Sequence, residues 1–323
     1  HNTVLGPALG GTRFWNYSSE ADAIQDVLRL SRGMTFKASI SGLNLGGGKA
    51  IIIGDSQNDK SEALWRRYGR FVESLGGRYI TAEDVGTSVK DMEYVAMESE
   101  SVVGKPAYLG GSGDPSPVTA YGTYMGMKAS AKEVWGNDSL SGKKVAVQGI
   151  GHVGEALVEL LIKEDATVYV SDIHENRLKA LSEKFPVKVV GRDDIYDVAM
   201  DIYAPCALGA TVNDDTLRRL SCTIIAGAAN NQLADENIHG QAVKDKGILY
   251  APDFLINAGG LINCYAELEG YERKRALART EYIYDRTLEI YTKAKEKDIT
   301  THQAALEVAQ ERIDSIATVH SSL

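Results

Sequence analysis

The middle of the chain reads Lys144-Val-Ala-Val-Gln-Gly149-Ile-Gly151-His-Val-Gly154, and it carries the clearest structural pattern in the sequence. An apolar strand runs directly into G-x-G-x-x-G, and a run with helical spacing follows, which is the context that a dinucleotide-binding turn requires. The glycines allow a tight turn and a close approach of the backbone to a pyrophosphate, which the positive end of the helix stabilises. The stretch therefore predicts the first strand, phosphate loop and helix of a Rossmann-type sheet.

Asp172 supports this interpretation because it closes the next predicted strand, 23 residues after Gly149. A carboxylate at that place binds a ribose hydroxyl and repels a 2′-phosphate, which favours NAD over NADP. His152 and Val153 lie inside the glycine loop, so we count them as cofactor-binding positions, but we give the imidazole no catalytic role. The alternative is that the glycines mark only a tight turn. In that case the agreement of five features, namely the two strands, the glycines, the helix and the acid, would be a coincidence.

Strands and helices alternate on both sides of this motif, which predicts a parallel sheet covered on both faces. Near the start, a serine cap and the apolar Ile24 and Leu28 predict an amphipathic helix over residues 18–33. A Gly-, Pro- and Ser-rich segment between Gly104 and Pro117 marks a domain boundary. We therefore predict an α/β fold of two domains separated by a catalytic cleft. Residues 1–115 plus 300–323 form a substrate-binding and oligomerisation domain, and residues 116–299 form a Rossmann NAD-binding domain.

Composition excludes several classes of partner. The 323 residues carry a net charge of -9, which disfavours binding to nucleic acid or to an anionic membrane surface and favours a small-molecule partner. Three cysteines without a CxxC pair, and six histidines without HExxH, predict reduced thiols, a cytoplasmic location and no metal site. The chain begins at His1 without an initiator Met, so we expect a native amino-terminal segment to be missing.

A second glycine cluster ends at Lys49, in Gly42-Leu-Asn-Leu-Gly-Gly-Gly48-Lys49-Ala50. A Walker phosphate loop needs a glycine where Leu43 stands and a serine or threonine where Ala50 stands, so we reject that interpretation. The alternative is a lysine at the edge of a sheet, whose pKa is lowered by desolvation and by a second ammonium such as Lys37. Composition alone favours a third interpretation, in which both lysines are ordinary surface residues.

Five runs of sequence, in order along the whole chain, resemble the Glu/Leu/Phe/Val dehydrogenase family, and its leucine dehydrogenases most closely. These runs are Gly6-Pro-Ala-Leu-Gly-Gly-Thr-Arg-Phe14, Arg32-Gly-Met-Thr-Phe-Lys37, the glycine-rich Lys49 segment, Thr81-Ala-Glu-Asp-Val-Gly86 and Ile256-Asn-Ala-Gly-Gly-Leu-Ile-Asn263. The resemblance implies that Lys37 binds the substrate α-carboxylate, Lys49 is the catalytic lysine and Asp84 relays protons with it. It also implies backbone positions around the substrate and asparagines near the nicotinamide, at Gly10, Gly11, Asn230 and Asn231.

The same resemblance implies a substrate pocket of small or apolar side chains, formed by Leu9, Met34, Ala82, Leu261 and Cys264. Glutamate-specific members carry a lysine at the position of Leu9, so a buried γ-carboxylate is disfavoured here. Leu261 and Cys264 replace the valines that leucine dehydrogenases commonly have. We therefore expect NAD-dependent, reversible oxidative deamination of branched-chain L-amino acids, with leucine preferred, in a homo-oligomer that is an octamer or a dimer.

Alternatives remain open at this stage. A phenylalanine or valine dehydrogenase of the same family would share every catalytic motif and differ in pocket volume. A 2-hydroxy acid dehydrogenase would share the glycine fingerprint but would use a histidine and an arginine. A non-catalytic nucleotide sensor would keep the fold and lose the lysines. The sequence separates leucine only weakly from isoleucine and valine, because one methylene changes binding by only about 1–3 kcal/mol.

Overall fold

The computed structural model describes residues 1–321, which form two compact units. The first unit holds His1–Pro115, Leu261–Ala276 and the residues from Val308 onward. The second holds Ser116–Gly260 and Leu277–Glu307. The predicted two-domain α/β class is confirmed.

The strands are short, and the ladders between them are parallel throughout the described chain. They are β1 (Ala8–Leu9), β2 (Thr12–Trp15), β3 (Gly46–Gly47), β4 (Ala50–Ile53), β5 (Tyr79–Ile80), β6 (Lys144–Gln148), β7 (Thr167–Ser171), β8 (Lys188–Val189), β9 (Ile202–Pro205), β10 (Ile224–Ile225) and β11 (Leu249–Tyr250). In the first unit, β1 lies between β3 and β5, while β2 pairs with β4. In the second unit, six strands follow the order β11-β10-β9-β6-β7-β8.

The six-stranded sheet has the topology that the glycine motif predicts. From β6 the chain moves outward through β7 to β8, and it then returns to the other side of β6 with β9, β10 and β11. The strand order therefore reverses between β6 and β9. Ligands of open parallel sheets bind beyond the carboxyl ends of the strands at such a reversal.

Twelve helices accompany these strands in the described residues. They are α1 (Glu20–Ile40), α2 (Glu62–Glu73), α3 (Val89–Ala96), α4 (Ser116–Trp135), α5 (His152–Lys163), α6 (Glu175–Lys184), α7 (Asp214–Arg219), α8 (Glu236–Asp245), α9 (Asp253–Ile256), α10 (Gly259–Leu268), α11 (Arg273–Lys297) and α12 (Thr301–Ser321). The first three begin at serine caps: the hydroxyls of Ser19, Ser61 and Ser88 each accept a hydrogen bond from the backbone three residues later. These caps satisfy amide groups that have no partner inside the helix.

Helix α1 differs from its prediction in length and in the face that it buries. It continues past Gly33 to Ile40 and ends before Gly42, whose φ of +71° suits a helix terminus. A side chain at Gly33 would meet open space, so this glycine imposes no break. Ile24 and Leu28, expected inside, are 51% and 64% exposed. The helix therefore reaches far enough to carry Lys37 in its last turn.

Each unit has its own apolar core. In the first unit, Phe14 of β2 contacts Trp65 of α2 edge to face, with ring centroids 6.0 Å apart. Met92 and Val95 of α3 complete this cluster. In the second unit, the apolar side chains of the sheet pack beneath α7 and α8, with Tyr203 fully buried at its centre. These cores hold the ends of the strands in place.

Two features are absent from residues 1–321. None of the helices there is both long and apolar enough to cross a bilayer. Within the same part of the chain, the histidine, cysteine and acidic side chains form no group of three or more that could hold a metal ion.

Candidate active site

The glycine loop after β6 is closely packed and leaves space only for glycine at two positions. Gly149 has a φ of +94°, and a Cβ there would lie 2.5 Å from the Cβ of Ala207. A Cβ on Gly154 would lie 2.1 Å from the carbonyl oxygen of Gly149. Helix α5 begins at His152, so its amino end follows the turn directly. This is the geometry in which backbone N–H groups face a phosphate.

Asp172, which directly follows β7, stabilises this loop by accepting backbone hydrogen bonds. Its Oδ2 accepts a hydrogen bond from the Ile150 N–H at 2.8 Å. Its Oδ1 accepts one from the His174 N–H, also at 2.8 Å. Each carboxylate oxygen can accept a further hydrogen bond, so the side chain can both order the loop and bind a hydroxyl.

A cavity of about 660 Å³ lies at the carboxyl end of the six-stranded sheet. Its walls include Gly149, Gly151 and Asp172, together with Arg177, Arg192 and the segment 206–209. His152 is exposed on the first turn of α5, and Val153 is half-buried beside it. The predicted loop and the predicted acid therefore face one space, which is large enough for a nucleotide.

Asn230 and Asn231 are both exposed after β10, and Asn231 adopts a φ of +51°. The Oδ1 of Asn230 accepts a hydrogen bond from the Nδ2 of Asn257 at 2.7 Å. Asn257 is 3% exposed, and its own Oδ1 has no hydrogen-bond partner among the described residues. A buried acceptor without a donor is costly, so a donor from a ligand or an ordered water would stabilise it. Asn257 lies in the run 256–263, but the resemblance assigned it no role.

In the first unit, Lys49 and Asp84 form an ion pair between two strand ends. The Lys49 Nζ lies 3.0 Å from Asp84 Oδ1, and the lysine side chain is only 6% exposed. Strand β2 brings them together: Lys49 directly precedes β4, which pairs with β2, and Glu83, beside Asp84, forms a bridge with Thr12 of β2. The two residues that the resemblance assigned to proton transfer are therefore in direct contact.

Arg13 and Asp26 extend this pair into a network that the sequence analysis missed. The Nε of Arg13 lies 2.9 Å from Asp84 Oδ2, and its Nη1 lies 2.8 Å from Asp26 Oδ2. Arg13 belongs to the quoted run that ends at Phe14, and its alternation with buried Thr12 and Phe14 on β2 places it on the opposite face. This alternation is the feature of the sequence that could have pointed to Arg13. It does not predict the partner on α1, Asp26.

The network shifts the pKa of Lys49 and the pKa of Asp84. Burial is the largest influence on Lys49 and lowers its pKa; Asp84 opposes this and Arg13 adds to it, and the pKa stays below that of an ordinary lysine. Burial alone would raise the pKa of Asp84, but Lys49 and Arg13 outweigh it and hold the pKa below the usual range. A carboxylate therefore faces an amine whose pKa is lower than that of an ordinary lysine.

The remaining predicted substrate residues also lie in the first unit. Leu9 on β1 is 2% exposed and is flanked by Gly47 and Ile80 in the sheet. Gly10 accepts a hydrogen bond from the Tyr79 hydroxyl at 2.6 Å. The others follow strand ends or lie on helices, and they are the buried Gly11, Ala82 and Leu261 and the half-buried Met34, Lys37 and Cys264.

Two helices determine which of these side chains lie on the same face. Met34 and Lys37 are three residues apart on α1, so they share one face of that helix. Leu261 and Cys264 have the same spacing on α10. The Cys264 thiol lies close enough to Glu83, the neighbour of Asp84, for the two groups to influence each other electrostatically.

Two family models cover almost the whole chain. One is described as Glu/Leu/Phe/Val dehydrogenase, dimerisation domain, and matches residues 1–101. The other is described as Glutamate/Leucine/Phenylalanine/Valine dehydrogenase and matches residues 110–175 and 170–320.

Individual relatives agree with these models. A leucine dehydrogenase of Thermoactinomyces intermedius is 53% identical over 100% of this chain and 88% of its own length. A valine dehydrogenase of Streptomyces coelicolor is 48% identical over 97% of this chain and 86% of its own. The crystal structure of an L-tryptophan dehydrogenase from Nostoc punctiforme matches with a TM-score of 0.87 and 44% identity, over 98% of this chain and 91% of that one. The chain therefore belongs to the Glu/Leu/Phe/Val dehydrogenase family of amino acid dehydrogenases, as its five sequence runs predicted.

Proposed function

We propose that this chain catalyses the NAD-dependent, reversible oxidative deamination of branched-chain L-amino acids, with leucine preferred. The observation that carries the proposal is the contact of 3.0 Å between Lys49 Nζ and Asp84 Oδ1 on a lysine that is 6% exposed. A desolvated amine with a lowered pKa, beside a fixed carboxylate, is suited to accept and return protons. The 53% identity to a leucine dehydrogenase supports the substrate class.

The second unit fits a dinucleotide. Gly149 and Gly151 would hold the pyrophosphate at the amino end of α5, and Asp172 would bind the ribose. The unsatisfied Oδ1 of Asn257 would accept a hydrogen bond from a carboxamide. Bound NAD would supply the hydride acceptor. We infer NAD rather than NADP because Asp172 repels a 2′-phosphate.

The side chains of the first unit account for the other steps. Lys37 would hold the α-carboxylate as a fixed cation, which orients the Cα–H bond. Lys49 takes a proton from the substrate α-ammonium and passes it by way of Asp84 to solvent, and the Cα–H bond then breaks with loss of hydride to leave an iminium ion. Water adds to the iminium carbon while the neutral Lys49 accepts one of its protons, which gives a carbinolamine. Lys49 returns this proton to the nitrogen and takes the hydroxyl proton as the C–N bond breaks, so ammonia and a 2-oxo acid leave.

The proposed pocket for the substrate side chain is apolar. Leu9, Ala82 and Leu261 are buried, and Met34 and Cys264 are half-buried. A glutamate side chain would leave its γ-carboxylate without a cation at Leu9, which disfavours it strongly. Valine and phenylalanine remain the alternative substrates, since the valine dehydrogenase relative is 48% identical.

The test is formation of NADH, followed at 340 nm at alkaline pH. Leucine, isoleucine and valine are each supplied with NAD, beside glutamate, phenylalanine and lactate, and then with NADP. We expect the fastest turnover with leucine and NAD. Turnover with lactate alone would favour a hydroxy acid dehydrogenase, and no NADH from any branched-chain amino acid would reject the proposal.

We further propose that the chain acts as a cytoplasmic homo-oligomer, an octamer or a dimer, assembled through its first unit. The family model for residues 1–101 is described as a dimerisation domain. Trp15 and Ile53 are partners in the β2–β4 ladder, and both are about half exposed, at 52% and 49%. Ile24 and Leu28 of α1 add exposed apolar surface in the same unit. The cytoplasmic location rests on three free thiols, at Cys206, Cys222 and Cys264.

A further inference from the structure

Arg13 and Asp84 come from two backbone segments that lie side by side. Arg13 belongs to β2, and Asp84 belongs to a segment that runs along this strand. Next to the ion pair, the Phe14 N–H donates to the Val85 carbonyl at 2.9 Å. The distance of 2.9 Å between Arg13 Nε and Asp84 Oδ2 therefore depends on how this segment is held against β2.

Thr87 closes the turn that begins at Asp84. The Asp84 N–H donates to the Thr87 hydroxyl oxygen at 2.7 Å. The Thr87 N–H donates in turn to the Asp84 carbonyl at 3.0 Å. A side chain that bonds the backbone of its own turn stabilises that turn. Both backbone polar groups of Asp84 are thus bonded to one residue, which restricts the backbone that carries the carboxylate.

The same hydroxyl connects the turn to β2. Thr87 Oγ1 lies 3.0 Å from the carbonyl oxygen of Thr12 and 2.9 Å from that of Asp84. A hydroxyl has one proton to donate and two lone pairs, so it can accept from the Asp84 N–H while it donates to either carbonyl. Thr12 directly precedes Arg13. One side chain therefore bonds the backbone at the aspartate and contacts the backbone beside the arginine.

Gly86 allows this turn to lie directly against β2. Its φ is +79°, and a Cβ there would lie 1.9 Å from the carbonyl oxygen of Phe14. Only glycine fits such a position without strain. The turn and the strand are therefore in direct backbone contact beside the ion pair.

We infer that Thr87 is a positioning residue for the proton relay: its hydroxyl fixes the backbone of Asp84 against β2, so that the carboxylate keeps its contacts with Lys49 and Arg13. The inference rests on the proposed function, since it requires Asp84 to take part in proton transfer. Thr87 acts through the aspartate, and a small displacement of an acid–base group slows the step that it serves.

The test compares variants of the full chain with and without the hydroxyl. T87V replaces the hydroxyl by a methyl group of similar size, and T87S keeps the hydroxyl. We expect T87V to lower kcat for leucine deamination by about 3- to 10-fold, the change that one ordinary hydrogen bond corresponds to. T87S should retain the wild-type kcat.

Two further measurements separate a positioning role from a merely structural one. KM for leucine and Kd for NADH should be unchanged in T87V, because Lys37 lies on α1 and the glycine loop precedes α5. In a D84N background, T87V should cause no further fall in the residual kcat, because the carboxylate that Thr87 positions is already gone.

S88A is the matched control. The Ser88 hydroxyl follows Thr87 in the chain and caps α3: it accepts from the Asp91 N–H at 3.3 Å and donates to Asp91 Oδ2 at 2.9 Å. Loss of a helix cap destabilises the same part of the chain but leaves the hydrogen bonds of Thr87 in place. S88A should therefore lower the melting temperature and leave kcat unchanged.

Four outcomes would overturn the inference. One is an active T87V with the wild-type kcat. Another is a T87S that is as slow as T87V, which would mean that the hydroxyl is not the important group. The third is an equal effect of T87V with and without the Asp84 carboxylate, and the fourth is an S88A as slow as T87V. Should T87V fail to fold, T87A removes the same hydroxyl and is judged by the same measurements. A wild type that oxidises no branched-chain amino acid would instead reject the proposed function itself.

Discussion

Arg13 affects the protonation of the Lys49–Asp84 pair, because it is a second cation in contact with Asp84. Each oxygen of Asp84 faces one cation, with Lys49 Nζ at 3.0 Å and Arg13 Nε at 2.9 Å. The carboxylate therefore stays ionised when the lysine loses its proton, because Arg13 still compensates its charge. A lysine without such support would regain a proton from solvent to balance the buried anion. The arginine thus allows Lys49 to cycle between its two forms.

Removal of either member of the pair should abolish catalysis. We expect K49A and D84N to lower kcat for leucine deamination by about 100- to 10,000-fold, the range for loss of a general acid–base group. NADH binding, measured by fluorescence titration, should remain. K60A is the matched control, since Lys60 pairs with Asp91 at 2.6 Å in the same unit. Turnover at the wild-type rate in K49A would reject the assignment.

The pH profile tests the role of Arg13. As base, Lys49 must be neutral, so kcat/KM for deamination should rise with pH as the lysine deprotonates. Arg13 lowers the pKa of Lys49, so R13Q should raise this pKa and shift the ascending limb to higher pH. R29Q is the control, because Arg29 pairs with Asp26 at 2.9 Å but is 56% exposed. A shift toward lower pH in R13Q would contradict this account.

At the scale of elements, the glycine loop depends on a neighbouring strand for its shape. The loop itself supplies the tight turn at Gly149, but Asp172 after β7 holds the Ile150 N–H at 2.8 Å. Two elements separated by all of α5 therefore determine one binding surface. Parallel strands place their carboxyl ends side by side, which makes this contact possible.

Substitution of Asp172 should weaken cofactor binding. D172A removes the acceptor for two backbone N–H groups and the proposed ribose contact, so we expect the Kd for NADH to rise about 10-fold or more. The preference for NAD over NADP should also fall, because the repulsion of a 2′-phosphate is lost. D201A is the control: Asp201 accepts from the Lys144 N–H at 2.7 Å at the other end of β6. Unchanged NADH affinity in D172A would disprove the prediction.

At the scale of the whole molecule, the exposed apolar side chains of the first unit predict self-association. Trp15 is 52% exposed in the single chain, so burial against a second copy removes a large apolar area from water. W15E should reduce the molar mass measured by light scattering to that of a smaller assembly. I238E is the matched control, since Ile238 is 58% exposed but lies on α8 of the second unit. A wild type that is monomeric at micromolar concentration would refute the prediction.

Features that depend on neighbouring residues could be predicted from the sequence. The glycines at 149 and 154 specified a turn, because a side chain at either position would clash with the atoms around it. A serine cap located the start of α1, because a cap is a contact within one helical turn. The order of strands and helices then indicated a parallel sheet, and the five runs indicated the family.

Only the tertiary structure decided the features that join distant parts of the chain. The contact of Arg13 with Asp84 spans 71 residues, and that of Ser112 with Glu267 spans 155, so no local pattern contains them. The exposure of Ile24 and Leu28 could not be predicted either. Helical spacing shows that these residues share a face, but it does not show whether another element packs against that face. The pKa of Lys49 depends on burial and on charges from other elements, and both exist only once the chain has folded.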